Sequence, residues 1–347
     1  MPTPLEVAVE HQKQRTHLTA AGTVRALRLW GRMDVARLDE SWDVLAPEFV
    51  AVVTAAQAAA SRQSAPYLSS VARHYGGAPT AAVVPEAFGG VMLDGREIGA
   101  AMFGAVTKTK ELIGLGMNPA QAFKTGSAFM ATITGSAISD SGRQSDITLA
   151  TGRHFTRYIR VLSPGACSRC AVLAGKGSLS KPFLRHPRCK CTTFPMQNDS
   201  DIRNLEGFYA SGNDYFESLS PAEQDRVFTK SGAFAIRNGA DPGKVVNARR
   251  GYYGDASNTS SGPRRLSPLT IGRKADGSPL RVFVTSEGTT YRGSFGRSEI
   301  DAGREAAKTG RYRRSSSIRL MPEQIQIMAG DNPGRARELL TRYGYLA

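Results

Sequence analysis

The chain has 347 residues, enough for two or three domains, and its hydrophobic fraction of 41% is adequate for packed cores. No run of about 18 apolar residues occurs, so we expect no membrane-spanning helix and no membrane partner. The stretch Met1 to Arg15 is polar and has no apolar segment of the kind that defines a signal peptide. Composition therefore argues against a membrane protein and against a small secreted domain.

The formal net charge of +15 is unevenly placed along the chain. Residues 1–150 carry 13 basic and 13 acidic side chains, whereas residues 151–347 carry 32 basic and 17 acidic ones. The whole basic excess thus follows position 150. This asymmetry favours contact with a polyanion, most simply double-stranded DNA. The alternative is a basic surface that keeps the protein soluble and has no partner.

Residues 4 to about 150 read as helical. Apolar residues recur at a roughly helical spacing up to Trp30, and a second helix is predicted from Asp39 to about Ala60 through an alanine-rich run. Pro47 falls inside this second segment and is a candidate for its true start. Glu86 to Leu115 reads as a further helix, with a start weakened by glycines.

Asn118 followed by Pro119 predicts the N-cap and first residue of a long helix that runs towards residue 149. The histidines of this half are scattered, and we interpret them as ordinary surface or core residues. No His/Cys/Asp cluster is expected in it. Residues 1–150 are therefore predicted to form a helical docking or scaffolding region.

All four cysteines lie between positions 167 and 191. Cys167 and Cys170 form a C-x-x-C pair, His186 and Cys189 form an H-x-x-C pair, and Cys191 follows after one residue. Two such turns are typical of a zinc site, in which four nitrogen or sulphur ligands form a tetrahedron. Such a closed ligand set leaves no position for water, so the predicted zinc would be structural.

Five candidates compete for four positions. One possible ligand set is Cys167, Cys170, His186 and Cys189. The other is the four cysteines, with His186 as an outer hydrogen-bond donor. Two disulfides, or four thiols without a metal, are the alternatives to zinc. Disulfides belong to oxidising compartments and small secreted domains, which this chain does not resemble.

Local signals also predict elements after residue 150. Phe155 to Leu162 has the β-branched and aromatic content of a strand, and Leu280 to Thr285 alternates as a strand that could pair with Thr289 to Gly293. Ser220 with Glu223 forms a capping box. Cap residues followed by proline predict further helix starts at Asp241 and Asn332.

Basic residues in two segments are candidates for phosphate contacts. Lysine, arginine and hydroxyl side chains bind the backbone of a nucleic acid rather than reading its bases. The alternative is a solvated surface loop. The candidates are Arg249, Arg250, Arg311, Arg313 and Arg314.

The order of four motifs resembles the MuF-like minor head proteins of tailed bacteriophages, particularly those of actinobacterial phages. The motifs are RVLSPGACSRCAVLAGK at 160–176, HPRCKC at 186–191, the segment 216–251 with its NARRG ending, and RLMPEQI at 319–325. The resemblance covers most of residues 155–347. It implies a low-copy protein of the capsid interior, present in the host cytoplasm during assembly. It also implies association with the portal or the major capsid protein and a part in head assembly or genome packaging and ejection.

We therefore expect an α+β protein that is predominantly α, with a long helical region followed by a small mixed module carrying the Cys/His knuckle. The predicted regions are 1–150, a knuckle-containing module at 151–260, and a basic β-hairpin with C-terminal helices at 261–347. No Ser/His/Asp arrangement supports catalysis, so no enzyme is expected. The main rival is a metal-dependent nuclease or other DNA-processing enzyme, and a cellular zinc-ribbon regulator is a third interpretation.

Overall fold

A computed structural model describes residues 2–77, 82–163, 165–198, 205–252, 256–257, 265–266, 268–305 and 313–346. Within these ranges the protein is α+β and predominantly α, which confirms the predicted fold class. The helices are α1 (Pro4–Trp30), α2 (Leu38–Arg62), α3 (Ser64–His74), α4 (Ile98–Gly114), α5 (Pro119–Gly152), α6 (Ser168–Ala171), α7 (Gly212–Glu217), α8 (Pro221–Phe228), α9 (Lys230–Arg237), α10 (Pro242–Ala248), α11 (Ser294–Asp301), α12 (Pro322–Ala329) and α13 (Pro333–Arg342). The strands are β1 (Arg157–Val161), β2 (Lys176–Ser178), β3 (Thr192–Met196), β4 (Ala256–Ser257), β5 (Arg265–Leu266), β6 (Leu269–Arg273), β7 (Pro279–Val282), β8 (Val284–Thr285) and β9 (Arg319–Leu320).

The chain divides into two compact units. The first comprises Met1–Ala166 and Leu173–Ala210, and the second comprises Cys167–Val172 and Ser211–Ala347. These units do not coincide with the predicted regions 1–150, 151–260 and 261–347. The first unit continues past residue 150 because the sheet of β1, β2 and β3 follows the long helices within it.

The core of the first unit lies among α1, α2, α4 and α5. Its largest fully buried side chains include Trp30, Phe49, Met102, Met130 and Ile138. Burial of each such side chain contributes about 1.5–3 kcal/mol, so this cluster is the main stabilising feature of the helical region. Helices α1 to α5 contain most of the described residues of the range 4–150, which confirms its predicted helical character, and the described residues 82–97 are the main exception.

Gly126 allows a close approach of α5 to α4 and α1. A Cβ atom there would lie 2.8 Å from the Trp30 ring and 3.2 Å from the Ala105 carbonyl oxygen. Gly126→Ala should therefore lower the free energy of unfolding by about 1–3 kcal/mol, the usual cost of overpacking. Urea unfolding measures this change. Gly114→Ala is the control, because a Cβ at Gly114 meets no atom within 4 Å. Equal stabilities of the two variants would contradict this packing argument.

Of two predicted helix starts, one is confirmed and one is wrong. The second helix begins at Leu38, one residue before the predicted Asp39, and Pro47 lies inside it, so the alternative start at Pro47 is not adopted. The helix predicted from Glu86 begins only at Ile98. Gly90 and Gly95 adopt positive φ angles of 79° and 85°, which do not fit a right-handed helix, so a short 3-10 helix at Pro85–Phe88 is followed by turns instead.

The predicted caps are confirmed, because each depends on contacts within one turn. The side chain of Asn118 accepts hydrogen bonds from the amides of α5. Ser220 and Glu223 form the reciprocal capping box of α8. The side chains of Asp241 and Asn332 each accept a hydrogen bond from an amide in the first turn of α10 and α13, respectively.

A three-stranded antiparallel sheet with the order β2-β1-β3 follows the long helices. In its register Ile159 lies opposite Phe194, and both side chains are fully buried. All five residues of β3 are buried, as are four of the five in β1. The strand predicted at 155–162 is thus confirmed as the central strand of a buried sheet.

The predicted pairing of the strand at 280–285 is wrong. That segment splits into β7, which pairs with β6, and β8, which pairs with β9. The segment at 289–293 forms a tight turn in which the Gly293 amide donates to the Thr290 carbonyl, directly before α11. Thr290 instead forms an isolated bridge with Arg314, because strand pairing is decided by contacts distant in sequence.

The segment Leu38–His74, which spans α2 and α3, is long and apolar enough to cross a membrane by length and composition. This is weak evidence for a membrane span, because the core helix of a soluble protein passes the same test. Trp42, Phe49 and Val53 of this segment pack in the core of the first unit. The expected lack of a membrane partner stays a prediction.

Candidate metal centre

The structure groups all five predicted ligands. The ligand atoms of Cys167, Cys170 and His186 lie within 4.8 Å of one another, and so do those of Cys170, Cys189 and Cys191. The two groups share Cys170. None of the four cysteines forms a disulfide. The cluster could hold a metal ion, and its thiol and imidazole donors are the types that zinc takes in tetrahedral sites.

Two short turns present these donors. Cys167 is the N-cap of α6, and the Cys170 amide donates to the Cys167 carbonyl at 2.9 Å. In the second turn the Cys189 amide donates to the His186 carbonyl at 3.2 Å. Arg188, between them, adopts a positive φ of 62°, which is uncommon for a residue other than glycine. The two turns that the Cys/His spacing predicted are therefore present.

The imidazole of His186 is oriented by its own loop. Nδ1 lies 2.8 Å from the carbonyl oxygen of Pro187, which can only accept a hydrogen bond. The proton therefore belongs on Nδ1, and the lone pair belongs on Nε2. A hydrogen bond of this kind fixes the tautomer of histidines that bind metals through the other nitrogen.

Arg143 of α5 holds the second turn. Its guanidinium donates to the carbonyl of Cys191 at 2.9 Å and also to the carbonyl of Cys189. Arg143 in turn pairs with Asp140, which also binds Arg185. Burial raises the pKa of Asp140, and the charges of Arg143 and Arg185 oppose that shift. One buried arginine thus fixes the backbone of two candidate ligands.

A second buried network lies among α1, α3 and α5. Asp146 is fully buried and pairs with Arg15. It also accepts hydrogen bonds from His11 Nε2 at 3.0 Å and from the Ser64 hydroxyl at 2.7 Å. The ring of His11 stacks on that of Tyr67 with a centroid separation of 3.8 Å. One histidine of this half thus belongs to a buried polar network, although the described residues of this half contain no group of three His, Cys, Asp or Glu side chains that could hold a metal.

The charges of this network follow from its burial. Burial alone would raise the pKa of Asp146, but the Arg15 charge, together with His11 and Ser64, lowers it to about 2. Burial lowers the pKa of His11 despite the opposing charge of Asp146. At neutral pH the network therefore contains a carboxylate, a guanidinium and a neutral imidazole. The negative charge of Asp146 and the positive charge of Arg15 therefore balance.

The same network anchors β3 beside the cluster. Arg15 donates to the Thr192 hydroxyl at 3.0 Å, and the Tyr67 hydroxyl donates to the Thr193 carbonyl at 2.6 Å. Thr192 directly follows Cys191. Sequence reasoning missed these residues because His11 and Asp146 are 135 positions apart. The one local signal was a pair of acids, Asp140 and Asp146, among small residues of a long helix.

The predicted phosphate-binding arginines are placed differently from one another. Arg249 pairs with Glu323 and is partly buried, whereas Arg250 pairs with Glu287 at 2.9 Å and keeps 60% of its side chain exposed. Arg313 and Arg314 are exposed, close to the bridge between Thr290 and Arg314. Arg311 lies outside the described residues.

Comparisons with known proteins give no relative for this chain. No protein-family model matches it, and neither a curated protein nor a solved structure matches it significantly.

Proposed function

We propose that this protein is a non-enzymatic minor head protein of a tailed phage, with a structural zinc site and a basic, DNA-facing C-terminal part. The observation that carries the proposal is the grouping of five Cys/His donors inside the segment whose motifs resemble MuF-like proteins. Soft thiolate donors suit a structural zinc. The charge distribution supports the DNA-facing part, because the whole basic excess follows residue 150.

In this proposal residues 1–150 dock on the portal or the major capsid protein inside the virion. The remaining residues contact packaged double-stranded DNA through lysine and arginine side chains. Such contacts release counterions from the phosphate backbone, so they are independent of sequence and weaken with salt. The metal stabilises the knuckle and takes no part in a reaction.

The exposed arginines are expected to contribute most to DNA binding. Arg313 and Arg314 are exposed, whereas the charge of Arg249 is offset by Glu323 in a partly buried pair. Replacing Arg313 and Arg314 with alanine should reduce the slope of log K against log salt by about 2, since each phosphate contact contributes about 0.9. Fluorescence anisotropy with a labelled duplex at several salt concentrations measures the slope.

The matched control replaces Arg226 and Arg335, which are exposed on helices of the same unit and lie near Glu223 and Glu338. This double variant should keep the slope of the unmodified protein. Absence of DNA binding at 50 mM salt would contradict the proposed DNA contact. An equal decrease of the salt slope in both double variants would contradict the assignment of this contact to Arg313 and Arg314.

The nuclease alternative is less well supported by the site. Catalytic zinc keeps an open coordination position for water and needs a nearby base. Among the described residues, the grouped donors are thiols and one imidazole, with no carboxylate. Supercoiled plasmid incubated with the protein and Mg²⁺, Mn²⁺ or Zn²⁺ should therefore stay intact. Metal-dependent nicking that His186→Ala abolishes would reverse this choice.

A further inference from the structure

A cleft of about 320 Å³ opens between α1, α5 and the loop at 188–190 in the first unit. Its volume lies within the range of about 300–1,000 Å³ that is usual for small-molecule sites. Of the five candidate metal ligands, only Cys189 is among the residues that line this cleft. It is therefore a candidate ligand site of its own.

The residues that line the cleft carry only positive charge. Four of them are basic, namely Arg15, Arg143, Arg188 and Lys190, and no acidic side chain is among them. The charges of Arg15 and Arg143 are offset by the buried partners Asp146 and Asp140. Arg188 and Lys190 are exposed, and neither forms an ion pair with any residue that the structure describes. Within the described part of the chain, two uncompensated positive charges therefore lie at the cleft.

The loop that carries these two charges is held in place. Arg143 binds the backbone carbonyls of Cys189 and Cys191, on either side of Lys190. The Arg188 amide donates to the Ser136 hydroxyl of α5 at 3.4 Å. The backbone of the two cationic residues is thus fixed before any ligand arrives. Such preorganisation reduces the entropy lost on binding.

The rest of the lining is largely apolar. Ala20, Val24 and Ala131 form part of the wall, and Val24 keeps 47% of its surface exposed. An exposed valine beside two unpaired cations suits a ligand with an apolar body and an anionic head. A phosphate monoester carries about 1.5 to 2 negative charges at neutral pH, which matches the two cations.

We propose that this cleft binds a small organic phosphate, with the phosphate group at Arg188 and Lys190 and the apolar body against Ala20, Val24 and Ala131. The inference does not rest on the proposed function, because it uses only the shape and charge of the cleft. The hydroxyls of Thr16 and Thr23 also line the cleft and add hydrogen-bonding groups beside the head.

Isothermal titration calorimetry with phenyl phosphate tests the proposal on the full chain as purified. We expect phenyl phosphate to bind at least tenfold more tightly than inorganic phosphate or phenol, because only the ester uses both parts of the cleft. Replacing Arg188 and Lys190 together with alanine should weaken its binding at least tenfold. The control replaces Arg25 and Arg28, two exposed arginines of α1 that do not line the cleft.

Arg188 and Lys190 flank Cys189, so their replacement could also disturb the candidate metal site. The metal content and thermal unfolding of this double variant are therefore measured together with its binding of phenyl phosphate. Ala20→Trp provides a second variant that fills the mouth from an exposed position of α1 and leaves every cation in place. It should abolish binding of phenyl phosphate. The proposal is overturned if phenyl phosphate binds no more tightly than inorganic phosphate. It is also overturned if neither variant weakens binding relative to the control.

Discussion

Asp146→Ala is expected to lower the free energy of unfolding of the helical unit by about 3–5 kcal/mol, the usual cost of breaking a buried ion pair. Asp146 is fully buried, and its removal leaves the Arg15 guanidinium without its counter-charge. The hydrogen bonds to His11 and Ser64 are lost as well. Urea unfolding followed by circular dichroism measures the change.

Glu48→Ala is the matched control for Asp146→Ala. Glu48 pairs with Arg32 at 2.6 Å, but both side chains are more than half exposed. Loss of such a surface pair should cost less than about 1 kcal/mol. The double replacement Arg15→Leu with Asp146→Ala should be less damaging than Asp146→Ala alone, because no charge then stays buried without a partner. Equal effects of the buried and exposed replacements would contradict the argument.

The same network predicts sensitivity to acid. The pKa of Asp146 is about 2 in the folded protein, against an ordinary value of 3.8. The unfolded chain therefore binds a proton first, so the contribution of Asp146 is complete above about pH 4 and is lost as the pH falls towards 2. His11 acts in the same direction below its ordinary value of 6.5, because burial lowers its pKa in the folded state. Asp146→Asn should flatten the acid limb of a stability–pH profile.

Loss of the proposed metal is expected to have the second large effect. Cys170 belongs to both groups of candidate ligands, so Cys170→Ser disrupts either ligand set. Structural zinc contributes about 10–16 kcal/mol of binding free energy in small zinc fingers, and we expect a loss of at least about 3 kcal/mol here, since Arg143 still holds the second turn. Elemental mass spectrometry should find about one zinc per chain in the unmodified protein and none in the variant.

Ser168→Ala is the control for Cys170→Ser, because it changes a side chain in the same short helix and keeps every thiol. Hydrogen exchange should show lost protection in the first turn, at residues 167–170, with α1, α5 and the turn held by Arg143 still protected. Treatment with a chelator should reproduce this pattern in the unmodified protein. Full metal content and unchanged stability in Cys170→Ser would show that the cluster does not bind a structural metal.

The features that could be predicted from sequence are those decided within a few residues. The caps at Asn118, Ser220 and Asn332 and the two ligand turns depend on side chains one turn apart, and they are present. The start of α4 could also have been predicted. Gly90 and Gly95 lie in the segment that was assigned to a helix, and both adopt positive φ angles that end a right-handed helix.

The features that could not be predicted depend on pairs distant in sequence. The partner of β8 is β9, more than thirty residues on, and no local signal distinguishes that pairing from a nearby hairpin. The Asp146 network needs α1, α3 and α5 to be packed before its members meet. The Arg143 contacts likewise join a helix to carbonyls 46 and 48 residues away.

The position of Arg143 has a consequence for the order of folding. Because α5 supplies the donors that bind the Cys189 and Cys191 carbonyls, helix packing alone arranges that turn. The proposed metal would then bind late, to a loop whose shape already exists, and would not nucleate collapse. Newly made chains should pass through a compact, metal-free intermediate, and refolding should show a fast helical phase followed by a slower phase whose rate depends on zinc concentration.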